Sequence, residues 1–250
     1  MEMPRFRART VPELLDASFQ VVRATFWELC LVSLAITWPA LALQLVIDEQ
    51  YAVFAVVLQN VLTNYATAAA VLIVSDAYLG REVSIGSALR RTFARFGSIF
   101  GAAWLRGFCI GIGLLLCVVP GIIAMIVTFA MPMAVVLEGA SASESFDRSR
   151  ALAKEQWGRI VGTYVLTYLL AFLAAIGVGI LAALAGGEVA GQVADLLVGA
   201  LLAPFVAVVG TLLYYDLRIR KEGFDIEMLV TAVDELGAQP PAAADEHPRA

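Results

Sequence analysis

The chain has one histidine in 250 residues, His247. It lies in the segment 231–250, whose Gln239-Pro240-Pro241 stretch and Ala-rich end give the composition of a disordered tail. Its position excludes histidine-based acid–base chemistry, a Ser-His-Asp triad and histidine metal sites from the body of the protein. Cysteine is scarce as well: Cys30, Cys109 and Cys117 fall in apolar stretches with no C-x-x-C spacing. They are expected to be buried free thiols acting as small hydrophobes, without metal or redox work. A phosphate-cradling Gly-rich loop ending in Gly-Lys-Ser/Thr is missing. With no catalytic constellation, no cofactor motif and no metal-ligand cluster, the sequence reads as a non-enzyme.

Charge is thin. Charged residues make up 16% of the chain, against about 25% in a soluble domain. The net charge of −5 is partly a property of the tail, where Asp234, Glu235, Asp245 and Glu246 face Arg249 alone. No basic face interleaved with aromatics is present, so nucleic acid is not an expected partner.

Apolar residues fill the space left, at 60% of the chain with a mean hydropathy of +0.82. They come in long runs. A membrane-spanning helix needs about 20 mainly apolar residues, and six such runs stand out: 26–47, 51–75, two sharing 97–137, 160–185 and 189–215. The shared region is expected to turn at Val119-Pro120-Gly121. The stretch that follows Arg5, Arg7 and Arg9 contains Glu13, Asp16, Gln20 and Arg23, which does not fit a cleaved signal peptide.

Basic residues sort by loop. Arg5, Arg7, Arg9 and Arg23 precede the first run; Arg81, Arg90, Arg91 and Arg95 follow the second. Arg148, Arg150, Lys154 and Arg159 follow the fourth, and Arg218, Arg220 and Lys221 follow the sixth. The opposite loops hold only Asp48, Glu49 and Glu188. By the positive-inside rule both ends are cytoplasmic, in a bacterial inner membrane.

Three cytoplasmic segments, 11–25, 84–96 and 141–157, have basic polar faces with Leu and Phe opposite, which suits helices lying in the interface. Thr10, Ser84 and Ser141 cap them, and Glu13 and Glu144 complete capping boxes. An aromatic follows each cap at 16 or 17 residues: Trp27, Phe100 and Trp157. A pair of spans comes next each time. The expected fold is therefore an all-α integral membrane protein. It has six transmembrane helices in three hairpins, each preceded by a cytoplasmic amphipathic interfacial helix. The domain plan is a basic segment 1–9, a membrane domain 10–230 and a tail 231–250.

Few polar residues interrupt the spans. Arg106 lies nine residues, about 13 Å, inside a span that begins at Gly97. A charge at that depth faces the bundle interior or a polar cavity. The alternative starts the span at Gly107 and lets Arg106 snorkel. The acids within its reach are Asp76, Glu138 and Asp216, with Asp216 slightly favoured as partner. Gln59, Asn60, Thr63, Asn64 and Thr67 form a stripe on the second span, with Asn60, Asn64 and Thr67 on one face. Such side chains bond a neighbouring helix or line a substrate path. Pro39, Pro132 and Pro204 interrupt three spans, as ordinary packing features or as the breaks of a transporter site.

The run Leu213-Tyr214-Tyr215-Asp216-Leu217-Arg218-Ile219-Arg220-Lys221-Glu222-Gly223-Phe224-Asp225 is distinctive, as are Val119-Pro120-Gly121-Ile122, Val136-Leu137-Glu138-Gly139 and Ser145-Phe146-Asp147-Arg148-Ser149. Together these resemble the membrane domain of bacterial glycerophosphoryl diester phosphodiesterases and its stand-alone multi-pass relatives. The resemblance covers most of residues 10–230. It implies a membrane fold and carries no catalytic residues; the catalytic barrel of some family members has no counterpart in these 250 residues.

The function expected is that of a non-catalytic membrane module that binds or organises lipids or a partner protein. Its partners are the bilayer and the anionic headgroups of the cytoplasmic face, each Lys or Arg near such a leaflet contributing about 1 kcal/mol. The alternatives are a small-solute transporter using the polar stripe and a membrane-embedded enzyme.

Overall fold

The computed structural model of the protein describes residues 8–46, 52–186 and 188–223. The acidic loop at Asp48 and Glu49, the tail 231–250 with His247, and most of the segment 1–9 lie outside the described residues.

All regular structure among the described residues is helical. In chain order the helices are α1 (Val11–Ala24), α2 (Phe26–Val46), α3 (Ala52–Tyr78), α4 (Ile85–Ala94), α5 (Phe96–Leu116), α6 (Val118–Val127), α7 (Met131–Met133, continued by a π turn Ala134–Glu138), α8 (Ala142–Ala153), α9 (Trp157–Ala185) and α10 (Glu188–Glu222). Four stretches are long and apolar enough to cross a membrane: Val53–Tyr78, Phe96–Leu116, Val118–Glu138 and Trp157–Leu184. A fifth is added if α1 and α2, bent by 73° at Thr25, are one broken span.

The caps form as the sequence requires. The Glu13 carboxylate accepts the Thr10 N–H at 2.8 Å, and Glu144 accepts the Ser141 N–H at 2.8 Å. Ser84 Oγ accepts from the Ser87 N–H at 3.4 Å. α1 and α4 each run into an apolar helix through one elbow residue, and α8 does so through Lys154-Glu155-Gln156, of which Gln156 is the elbow. Thr25, Arg95 and Gln156 have φ/ψ of −118/21°, −108/25° and −116/14°. All three sit in the sparsely allowed bridge region, and each is followed directly by an aromatic: Phe26, Phe96 and Trp157.

Aligned on these elbows, the three copies share a burial register. Four residues on, Leu29, Ile99 and Ile160 are buried; seven on, Val32, Ala102 and Thr163 are buried. Seven residues before the elbow, the small side chains Ser18, Ala88 and Ser149 are buried. The repeat is thus carried by conformation and burial as well as by sequence. One detail differs from the sequence alignment. Cap and elbow are 15 residues apart in α1 and α8 but 11 apart in α4, which lacks one helical turn of about 3.6 residues. Phe96, not Phe100, is therefore the counterpart of the aromatics after the other elbows.

The second helix of each pair forms the centre. Half of the Val118–Glu138 window and 44% of the α3 window are buried, against 17% for α5 and 11% for α9. Residues 65–76 of α3, 129–136 and 204–219 of α10 supply most of the core. Outward, Trp104, Phe108, Leu115, Phe172 and Leu184 are exposed. Such a surface calls for cover by hydrocarbon or by another protein.

The middle pair departs from the expected turn. The chain breaks at Cys117, and Pro120 sits in the first turn of α6, where its missing N–H costs nothing. Gly113 allows the crossing: a Cβ there would lie 2.8 Å from Gly121 Cα and Pro120 O. A second break, at 128–130, divides α6 from α7 and is filled from α8. Ser149 Oγ accepts the Ala130 N–H at 3.0 Å and donates to the Val127 carbonyl at 2.6 Å. The cysteines are free thiols as expected, but not buried as expected. Cys117 is exposed, and Cys30 and Cys109 are half-buried, because α2, α5 and the turn after α5 face outward.

Candidate functional site

Polar chemistry concentrates in two places: a charged seam where the helix pairs end, and a groove along α3 and α5.

The seam is built from an acid in the last two turns of each inner helix: Asp76, Glu138 and Asp216. Asp76 on α3 lies 3.5 Å from Arg91 of α4 and 4.0 Å from Arg81. Glu138 is bound by Arg148 of α8 at 2.7 Å, with Arg218 at 3.7 Å and the Tyr214 hydroxyl donating to it. Asp216, 4% exposed, is met by Arg220 at 2.9 Å and Arg159 at 3.2 Å. Arg148 also binds Glu222 through both of its terminal nitrogens. Burial pushes the Glu222 carboxyl up, but hydrogen bonds and charge from Arg148, then Arg218, outweigh it and hold it below the ordinary glutamate range. Arg148 is raised, first by its hydrogen bond to Glu222 and then by that to Glu138. Every acid in the seam thus binds an arginine across a helix boundary.

Arg106 takes no part in the seam, so the expected pairing with Asp216, Asp76 or Glu138 is not made. The physical reason is that those acids have nearer arginines, one of them at i+4. Arg106 is the eleventh of the 21 residues of α5, which places it at mid-helix rather than at a snorkelling end. It lies eleven residues past its elbow, where the other copies bury Ile36 and Thr167. Its Nε is buried without a hydrogen-bond partner. Arg106 lines a cavity of about 20 Å³ with Asn64, Met131 and Pro132, beside the broken second helix.

The polar stripe on α3 also differs from expectation. Its side chains bond their own helix instead of a neighbour: Asn60 Nδ2 donates to Val56 O at 2.9 Å, Asn64 Nδ2 to Asn60 O at 2.8 Å, and Thr67 Oγ1 to Thr63 O at 2.8 Å. Asn60 and Asn64 instead edge a groove of about 570 Å³ between α3 and α5. Its apolar wall includes Phe100, Trp104, Phe108 and Leu115. Gly107 and Gly111 form its floor, and a Cβ at either would meet open space.

Sequence reasoning missed Tyr214, Tyr215, Ser149 and Glu222 as organising residues. The signal was present, because all four fall in the runs that carry the family resemblance. Tyr215 donates to or accepts from Ser75 at 2.7 Å and stacks on Tyr78. No group of three or more His, Cys, Asp or Glu side chains among the described residues could hold a metal ion.

Fold and site together define an all-helical protein that has, among the described residues, four or up to five spans long and apolar enough to cross a membrane, with ion pairs gathered toward helix ends. Comparison with known proteins gives no match to a family model, a curated protein or a solved structure.

Proposed function

We propose that the protein is a six-span module of a bacterial inner membrane, with both ends cytoplasmic, that binds lipid through the α3–α5 groove without catalysing a reaction. The groove carries this reading. It is an apolar slot edged by two amides, it opens sideways on the exposed faces of α3 and α5, and its floor is glycine. The six-span topology is supported by α2 with 21 residues and α10 with 35, which complete three helix pairs. The cytoplasmic assignment of the seam is supported by the clustering of Arg91, Arg148, Arg159 and Arg220 there. The sequence resemblance to the membrane domain of glycerophosphoryl diester phosphodiesterases, which we carry here as part of the proposal, fits the same reading. The residues behind the resemblance, such as Glu138, Arg148 and Asp216, are the ones that hold the copies together.

Native mass spectrometry of protein extracted in a mild detergent tests the binding. The parent should retain lipid, and Gly107→Leu with Gly111→Leu, which fill the floor, should lose most of it. Gly177→Leu, also in open space but on α9, should not. Equal retention by all three proteins would overturn the groove assignment.

A second reading, a small-solute transporter, is favoured by one observation: Arg106 at mid-helix beside a broken helix, as at many transport sites. Labelling of Asn64→Cys by a membrane-impermeant thiol reagent in a cysteine-free background would select it over the lipid-binding reading.

A further inference from the structure

We propose that Arg106 makes the α3–α5 groove a receptor for a single-chain amphiphile with a carboxylate head. The head reaches Arg106 past Asn64, and the chain lies along Gly107 and Gly111. The inference rests on the lipid-binding reading of the groove and specifies its ligand.

Three observations converge on it. A guanidinium remains charged in a protein under any ordinary condition, and in hydrocarbon it requires a counter-charge or water. The register of the three copies points Arg106 inward, and Asp76, Glu138 and Asp216 are all held by other arginines. Its Nε is buried with no partner. No acid among the described residues pairs with it, which leaves the place to water or to an anion from outside the described chain.

Size sets the class. The cavity at Arg106, about 20 Å³, has room for a water or one carboxylate oxygen, and not for a phosphate with its glycerol. The open groove of about 570 Å³ takes the chain, and an amphiphile headed by a simple carboxylate carries one chain where a phospholipid carries two. Asn64 and Ala103 line both spaces. They form the partition between chain and head, and Asn64 supplies an amide to the carboxylate as it passes.

Trp104 in the groove wall provides the readout. The test uses the full chain in neutral phosphatidylcholine nanodiscs at alkaline pH, with Trp27, Trp38 and Trp157 replaced by Phe; these three are exposed. Quenching of Trp104 by dibromostearate is compared with quenching by dibromostearyl alcohol. The acid should quench at about tenfold lower mole fraction. Arg106→Gln should remove the difference, and Arg106→Lys should keep most of it. Should Arg106→Gln fail to fold, the comparison in the parent and the Lys variant decides. Equal quenching by acid and alcohol in the parent overturns the proposal while leaving a chain-binding groove. Acid preference that persists in Arg106→Gln also overturns it, assigning the preference to the cytoplasmic arginines. Quenching by neither ligand overturns the lipid-binding reading as well.

Discussion

Asp216, near the end of the last long helix, accepts the backbone N–H of Arg9 at 2.8 Å, across 207 positions of chain. The contact is reinforced from both sides. Arg159 and Arg220 each bind Asp216 and each donate to the Arg9 carbonyl, at 2.9 and 2.8 Å. Arg9 in turn places its guanidinium over the Tyr78 ring at 5.5 Å. The approach to the first copy is thereby fastened to the last, and the three copies close on themselves.

Asp216→Asn should therefore cost about 3 kcal/mol, in the range for breaking a buried charge pair, read as a lower thermal midpoint in detergent. Combined with Arg159→Leu, the loss should be smaller than the sum of the singles. Combined with Arg106→Leu, it should be additive, because the two groups share no partner. Sub-additivity with Arg106→Leu would restore a direct pair.

The buried serines at matched positions should not be equivalent. Ser18 returns its hydroxyl to Leu14 O of its own helix, and the middle copy has Ala88 at that place. Ser18→Ala should be within about 0.5 kcal/mol of the parent. Ser149→Ala leaves the Ala130 N–H and the Val127 carbonyl open and should cost about 1–3 kcal/mol. Thermal melts of the two variants side by side decide it.

Acid should loosen the seam. The folded pKa of Glu222 lies below its unfolded value of about 4.3. Its contribution is complete above that value and is lost as pH falls through the folded pKa. The thermal midpoint should drop between about pH 5 and pH 3, and Glu222→Gln should make that drop shallower. A variant with the parent's slope would show that Arg148 holds Glu222 no better in the folded state.

Much of this architecture is legible in the residues. Glu13 and Glu144 announce capping boxes that form, and the basic segments announce α1, α4 and α8. Asp76, Glu138 and Asp216 read as acids at helix ends; Asp76 and Glu138 are, while α10 runs six residues past Asp216. The partners did not follow from depth, because short-range geometry decided them: Arg220 is one turn from Asp216, and Arg91 sits on the helix folded against Asp76. Nor did the break at 128–130. Val127-Thr128-Phe129-Ala130 holds no glycine or proline, and what permits the break is Ser149, nineteen residues away. The stripe at Asn60 and Asn64 was legible as polar, but periodicity does not say that α5 would offer glycines opposite it.

The filling of that break has a consequence for how the protein is made. Residues 118–138 leave the ribosome before Ser149 does. Until Ser149 arrives, the Val127 carbonyl and the Ala130 N–H have no partner, and each open backbone group in hydrocarbon costs several kcal/mol. The Met131 N–H does not help the Val127 carbonyl, since it turns to Thr128 O instead. The nascent second helix of the middle pair is therefore incomplete as a unit of insertion. In the proposed bilayer arrangement its hydrogen bonds are complete only once α8 has been synthesised and folded back, so biogenesis would run across the boundary between copies rather than copy by copy.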